Sequence, residues 1–174
     1  QSLGIKKGDR VSIFSTSMPN WGASYFGIVN IGAIAVPLLP DFSTIEVQSI
    51  LNHAQVSVMF VAEKLWNKIK DLPESVLPIV IKLDDFTFLR GDPENFEIKD
   101  SSNFEQVEIS EEDTASIIYT SGTTGRSKGV ELSHKNLVWT AIQCQTVHRV
   151  NKRDKCLSFL PLSHVYEFTI GFVL

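Results

Sequence analysis

The sequence has little that would brace a fold covalently or through metal. It carries two cysteines, Cys144 and Cys156, in 174 residues. They fit neither a disulfide framework nor the paired spacing of a zinc site, and read as buried thiols in a reducing compartment. A surplus of positive charge is also missing, since 16 Lys and Arg stand against 20 Asp and Glu for a formal net charge of −4. Without a basic patch there is no electrostatic footprint for a nucleic acid, and none is expected as a partner. Internal repeats and low-complexity tracts are absent. Residues 11–40 hold no charged side chain, and residues 22–39 approach membrane-spanning length. Yet Asn20, Ser24 and Asn30 interrupt that stretch and Pro19, Pro37 and Pro40 punctuate it. It reads as strand, helix and strand, all buried, as in a parallel sheet.

What is present is the make-up of a soluble globular protein, 43% hydrophobic and 21% charged. A chain of this size can bury a real core. Residues 11–15 read as a strand. Asn20 is expected to cap a helix running to about Gly32, and residues 35–39 form the next strand. Asp41 or Ser43 starts a second helix with Ile45, Val47, Ile50 and Leu51 near helical spacing. Residues 56–61 read as strand, 62–70 as helix and 79–81 as a further apolar strand. Strands alternating with helices predict an α/β fold with a doubly wound, mostly parallel sheet and flanking helices. Residues 84–113 break the rhythm with Arg90-Gly91-Asp92-Pro93 and then Glu105, Glu108, Glu111, Glu112 and Asp113. They read as a solvated loop outside the sheet, with an acidic docking surface as the alternative.

The chemistry concentrates after a strand at residues 115–119. Next comes Thr120-Ser121-Gly122-Thr123-Thr124-Gly125-Arg126-Ser127-Lys128-Gly129-Val130. Glycines let backbone N–H groups turn inward as an anion-binding nest, hydroxyls add neutral donors, and Lys128 supplies a point charge for phosphate. The spacing is not that of a Walker A loop, which needs Gly-Lys-Ser/Thr leading straight into a helix. Here residues 130–132 read as strand, and the next helix starts at Ser133 as N-cap. The loop therefore joins two strands and has no helix dipole behind it.

The run Tyr-Thr-Ser-Gly-Thr-Thr-Gly-x-x-Lys-Gly-Val resembles the phosphate-loop motif of the adenylate-forming (AMP-binding) superfamily of acyl-CoA synthetases, luciferases and peptide-synthetase adenylation domains. Ser127 departs from the family's usual proline. Leu160-Pro161-Leu162-Ser163-His164-Val165-Tyr166-Glu167 resembles the family's next motif, in the form most similar to long-chain fatty acyl-CoA synthetases. Residues 4–39 resemble the family's N-terminal region, so the likeness covers nearly the whole chain.

The resemblance implies part of the large N-terminal domain over residues 1–174, in a ligase that joins a fatty acid or other carboxylate to ATP, releases pyrophosphate and passes the acyl group to coenzyme A. By matched position, Thr120, Ser121, Gly122, Thr123, Thr124, Gly125 and Lys128 would bind ATP phosphates. Thr120 would touch Mg²⁺, while Lys128 and His164 would serve the chemistry. His53, His134 and His148 read as structural or surface residues. No later Tyr-Gly-x-Thr-Glu motif, ribose-binding Asp region or small C-terminal domain with its catalytic Lys is found. The chain opens on Gln1 and closes on the apolar Phe168-Thr169-Ile170-Gly171-Phe172-Val173-Leu174. It is accordingly read as a fragment, inactive alone, whose apolar end leaves unburied surface prone to self-association. A cytoplasmic enzyme with room for peripheral membrane contact is expected. The alternatives are a non-catalytic nucleotide-binding domain, an aryl-CoA ligase or an amino-acid adenylation domain.

Overall fold

The computed structural model describes residues 3–92, 94, 106–120, 128–147, 151, 153–155 and 157–173. Among these, apolar runs flanked by helix-starting residues produce β1 (Arg10–Phe14), α1 (Pro19–Val29), β2 (Ile34–Leu38), α2 (Thr44–Ala54), β3 (Val58–Val61), α3 (Glu63–Ile69) and β4 (Ile79–Lys82). Beyond them lie β5 (Phe88–Arg90), β6 (Thr114–Thr120), β7 (Lys128–Ser133), α4 (His134–Val147) and a π-helix over Glu167–Val173. The strands form a sheet in the order β5-β4-β3-β1-β2-β6-β7. The inner strands from β4 to β6 pair in parallel, and β5 and β7 close the two edges antiparallel.

Strand β1 lies between β2 and β3, so the winding reverses beside it. Helix α1 packs Trp21, Tyr25 and Ile28 against Val11, Ile13 and Ala35 on one face. Helices α2 and α3 bring Val47, Ile50, Leu51, Leu65 and Ile69 against Phe14, Val36, Leu38 and Met59 on the other. The doubly wound, mostly parallel sheet expected from the sequence is the fold observed. Two buried hydroxyls in it are satisfied across strands: Ser12 donates to Val36 O at 3.0 Å and Ser116 to Ala35 O at 3.0 Å.

Several local expectations are corrected. Asn20 does not cap α1; Met18 holds the N-cap position, Pro19 occupies the first turn, and no side chain caps the end. The Asn20 amide instead donates to Leu83 O at 2.8 Å and Asp84 O at 3.1 Å, tying α1 to the end of β4. The helix stops at Val29 with Asn30 as C-cap, and Gly32 makes the exit at φ 70°. Ile45 is 80% exposed, and α2 buries Val47, Ile50, Leu51 and Ala54 instead.

The polar segment after β4 is not all loop, since β5 pairs with β4. Its acidic end is paired within the chain. Lys135 on α4 meets Glu111 at 2.9 Å and Glu112 at 2.7 Å, and Lys7 meets Asp113 at 2.7 Å. Exposed pairs of this kind are weak, but they join the start of β6 to α4 through Lys135 and to the turn before β1 through Lys7. Glu105 lies outside the described residues. Cys144 is half-exposed on α4 rather than buried, and Cys156 lies outside the described residues.

The apolar residues near 168–172 are also not bare. Phe168 is buried against Tyr25 at 4.7 Å between ring centroids, and Phe172 meets the Trp21 ring edge-on at 5.7 Å. The side chains of Ile170 and Val173, and Leu174, lie outside the described residues. Exposed apolar groups sit on α4, at Val138, Trp139, Ile142 and Val147, and before the π-helix at Leu157, Phe159 and Val165. No helix of the described residues is long and apolar enough to cross a membrane.

The expected start of α2 at Ser43 is observed as a capping box. Ser43 Oγ accepts from Glu46 N at 3.3 Å, while the Glu46 carboxylate accepts from Ser43 N at 2.8 Å. The Ser43 hydroxyl, and then its backbone N–H, hold the Glu46 carboxyl below the ordinary carboxylate range. A depressed pKa contributes stability above the unfolded value and loses it as pH falls through the folded one. Ser43→Ala should therefore cost about 1 kcal/mol near neutrality, with the penalty shrinking below about pH 4. Urea unfolding at both pH values tests this, and an equal penalty at both would show that the carboxylate plays no part.

Candidate functional site

In a parallel sheet the C-terminal ends of the strands share one edge, where ligands of open α/β folds bind. Strand β6 ends at that edge in Thr120, and β7 returns from it beginning with Lys128. The two residues are direct partners in the antiparallel register. Both are exposed, so a hydroxyl and an ammonium group stand opposite each other at the root of the loop. Ser121, Gly122, Thr123, Thr124 and Gly125, expected to contact phosphate, lie outside the described residues. The loop joins two strands, as the sequence predicts, and has no helix N-terminus at its exit.

One register step inward, Tyr119 faces Gly129. A Cβ on Gly129 would come within 2.9 Å of Ile117 Cγ2 and 3.1 Å of Tyr119 Cζ. A side chain there would crowd Ile117 first and then the Tyr119 ring across the hairpin. After β7, Ser133 starts α4 as expected: Asn136 N donates to Ser133 Oγ at 3.2 Å, and Ser133 N donates to Asn136 Oδ1 at 3.1 Å.

The second motif reaches the same edge by another route. Ser17, just beyond β1, donates its hydroxyl to Leu160 O at 3.4 Å and accepts from Leu162 N at 3.2 Å. This docks residues 160–162 at the C-terminal end of β1, two strands from β6. His164 comes next, half-buried, with Nδ1 accepting from Tyr166 N at 3.3 Å and its carbonyl accepting from Phe168 N at 2.9 Å. Tyr166 is exposed, whereas Glu167 is buried in the first turn of the π-helix. The described residues show no direct bond between His164 and either Thr120 or Lys128. They share an edge, not a contact.

Ser17 does not stand out in the sequence. Its one signal is the polar triplet Ser15-Thr16-Ser17 set between an apolar strand and Pro19. Two of the other histidines do have defined partners. His53 Nδ1 lies 2.6 Å from Tyr119 Oη. His134 donates its backbone N–H to Asp113 O at 3.1 Å, and burial, opposed by Asp113, pushes its imidazole below the usual pKa. His148 lies outside the described residues. No group of three or more His, Cys, Asp or Glu suited to a metal occurs among the described residues.

An open, mostly parallel sheet with helices on both faces, carrying its motif loops on one edge, is the fold of the large domain of adenylate-forming enzymes. The chain belongs to the AMP-binding enzyme family, whose pattern matches residues 1–174. It is 31% identical to fatty acyl-CoA synthetase A of Dictyostelium discoideum over 95% of this chain and 27% of that protein. It is 33% identical to the long-chain-fatty-acid–CoA ligase FadD15 of Mycobacterium tuberculosis over 98% of this chain and 30% of that one. The crystal structure of a long-chain-fatty-acid–CoA ligase (FadD1) from Archaeoglobus fulgidus superposes with a TM-score of 0.79 at 26% identity, covering 96% of this chain and 33% of that one. Other relatives carry different names, among them 4-coumarate–CoA ligase-like 6 of Arabidopsis thaliana. The chain spans less than a third of the length of either synthetase relative.

Gly129→Ala should force the hairpin strands apart and destabilise the protein by about 1–3 kcal/mol, as overpacking does. Its denaturation midpoint and the amide exchange of Thr120 and Lys128 report the change. A midpoint and exchange equal to wild type would mean that the Tyr119 ring simply moves aside.

Proposed function

We propose that these residues supply the phosphate-gripping part of an ATP-dependent, AMP-forming ligase that activates a long-chain fatty acid and transfers it to coenzyme A. The observation that carries this is the pairing of Thr120 with Lys128 at the root of a glycine- and hydroxyl-rich hairpin on the ligand-binding edge of the sheet. The two synthetase relatives, each above 30% identity, support the acyl class.

In this reading a carboxylate oxygen attacks the α-phosphorus of ATP, the bond to pyrophosphate breaks, and acyl-AMP forms. The thiolate of coenzyme A then attacks the acyl carbon and AMP departs. Two anions must meet in the first step, so oriented donors and cations lower the barrier. Lys128 and the backbone N–H groups of Ser121, Gly122, Thr123, Thr124 and Gly125 would hold the phosphates and offset charge moving onto the leaving group. His164 would stand near the acyl-adenylate. Mg²⁺ suits hard oxygen ligands and keeps much of its water, so the exposed Thr120 hydroxyl fits as one ligand beside phosphate oxygens. The metal would neutralise phosphate charge.

The metal-holding Glu, the ribose-binding Asp and the catalytic Lys of the small domain would come from sequence outside residues 1–174. We place the complete protein in the cytoplasm. Whether its acid is aliphatic or aromatic is decided by offering both.

In the complete natural protein, Lys128→Ala should lower palmitate-dependent ATP–pyrophosphate exchange about 10²–10³-fold, the usual loss on removing a preorganised charge stabiliser. Exchange within twofold of wild type would remove Lys128 from the mechanism, and coumarate outperforming palmitate would reassign the substrate. The 174 residues alone should release no AMP from ATP, palmitate and coenzyme A. Robust release by them would mean that the missing catalytic groups lie inside this chain.

A further inference from the structure

The hairpin that carries Thr120 and Lys128 lies at the edge of the sheet, and β7 is exposed along most of its length. Strand β6 is held from one side by its parallel pairing with β2. From the helix layer, a side-chain hydrogen bond reaches the residue next to its last. His53, in the last turn of α2, places Nδ1 2.6 Å from the hydroxyl of Tyr119, the residue before Thr120. The rings meet edge to face, with centroids 5.8 Å apart and planes at 90°. The Tyr119 ring in turn passes across Gly129, the residue after Lys128.

The last turn of α2 is itself fixed. Arg10 at the start of β1 donates to Ala54 O at 2.8 Å and to Gln55 O at 3.2 Å. A rigid helix end thus holds an imidazole, the imidazole holds a phenol, and the phenol spans both strands one residue inside the phosphate-binding pair. The Tyr119 ring is 4% exposed and belongs to the core, and with His53 it borders a cleft of about 290 Å³ that Gly8, Gln55 and Glu131 also line. Core packing holds the body of the ring, and the hydrogen bond to His53 fixes its hydroxyl end.

We infer that His53 is a positioning residue for the phosphate-binding hairpin, acting through Tyr119 to keep Thr120 and Lys128 opposite each other. This rests on the reading that the hairpin grips ATP. The side chain touches no reacting atom, so its loss should act on nucleotide binding and leave acid binding alone.

The test uses the complete natural protein with His53→Ala, Tyr119→Phe, the double variant and His53→Asn, whose amide oxygen can occupy the Nδ1 position. His53→Ala and Tyr119→Phe should each raise KM for ATP roughly five- to tenfold, about the loss of one part-buried hydrogen bond, and also lower the rate at saturating ATP because Lys128 is displaced, with the KM for palmitate within twofold. The double variant should be no worse than either single one, because both break the same bond. His53→Asn should restore most of the affinity. Residue-resolved amide exchange should quicken at Thr120, Lys128 and Gly129 in the alanine and phenylalanine variants, while β3 and β4 stay protected. An unchanged KM for ATP with unchanged hairpin exchange would overturn the inference. So would additive losses in the double variant, failure of His53→Asn to restore binding, or faster exchange spread evenly over the sheet. If wild type shows no pyrophosphate exchange at all, the proposed function falls, and the amide exchange still decides whether His53 holds the hairpin.

Discussion

Burial of β1 on both faces dictates most of the architecture around it. Val11 and Ile13 point to α1, and Phe14 points to α2 and α3, each at no more than 2% exposure. A strand dry on both sides has to be flanked by partners for every N–H and C=O, because an unpaired buried peptide group costs about 1–3 kcal/mol. Its parallel pairing with β2 and β3 meets that demand and aligns their C-terminal ends. From this alignment the motif loops inherit a common edge. Ser17 reaches Leu160 and Leu162 only because β1 ends where it does, and β6 delivers Thr120 to the same side through its pairing with β2.

Much of the fold was readable because its signals are short-range and physical. The apolar runs at β1, β2, β3 and β4 separated by amphipathic stretches could hardly be anything but a parallel sheet. Ser43, weighed beside Asp41, and Ser133 announced helix starts as residues whose side chains can bond their own backbone. The misreadings came where tertiary structure overrode local chemistry. Asn20 looks like a cap, yet Pro19 already supplies a preset φ, and the amide is drawn to the carbonyls of Leu83 and Asp84 across the edge of the sheet. Strand β5 is too short to show periodicity. The acidic residues Glu111, Glu112 and Asp113 gave no hint of Lys135 and Lys7, which are distant in sequence.

The site was legible to a different degree. The composition of the stretch from Thr120 to Lys128 carries its chemistry openly, and the strand-loop-strand setting was implied by Val130 and Ser133. What holds that stretch in place was not legible. His53 has no local feature that separates it from any polar residue on a helix, and Tyr119 looks like an ordinary β-forming aromatic. Only their 2.6 Å approach gives either a role beyond packing. Gly129 is similar, since what crowds its Cα are Ile117 and the Tyr119 ring on the opposite strand.

The bridge made by Ser17 joins residues 143 and 145 positions apart. Closing so long a loop late in folding gains little local cooperation, and contacts of this span form after the sheet that presents them. On a growing chain the β1–β4 layer is complete and waiting long before Leu160 emerges. The segment bearing His164 therefore docks on a layer made far earlier in the chain, gripped by the two Ser17 hydrogen bonds at one end and by the Phe168 and Phe172 rings at the other.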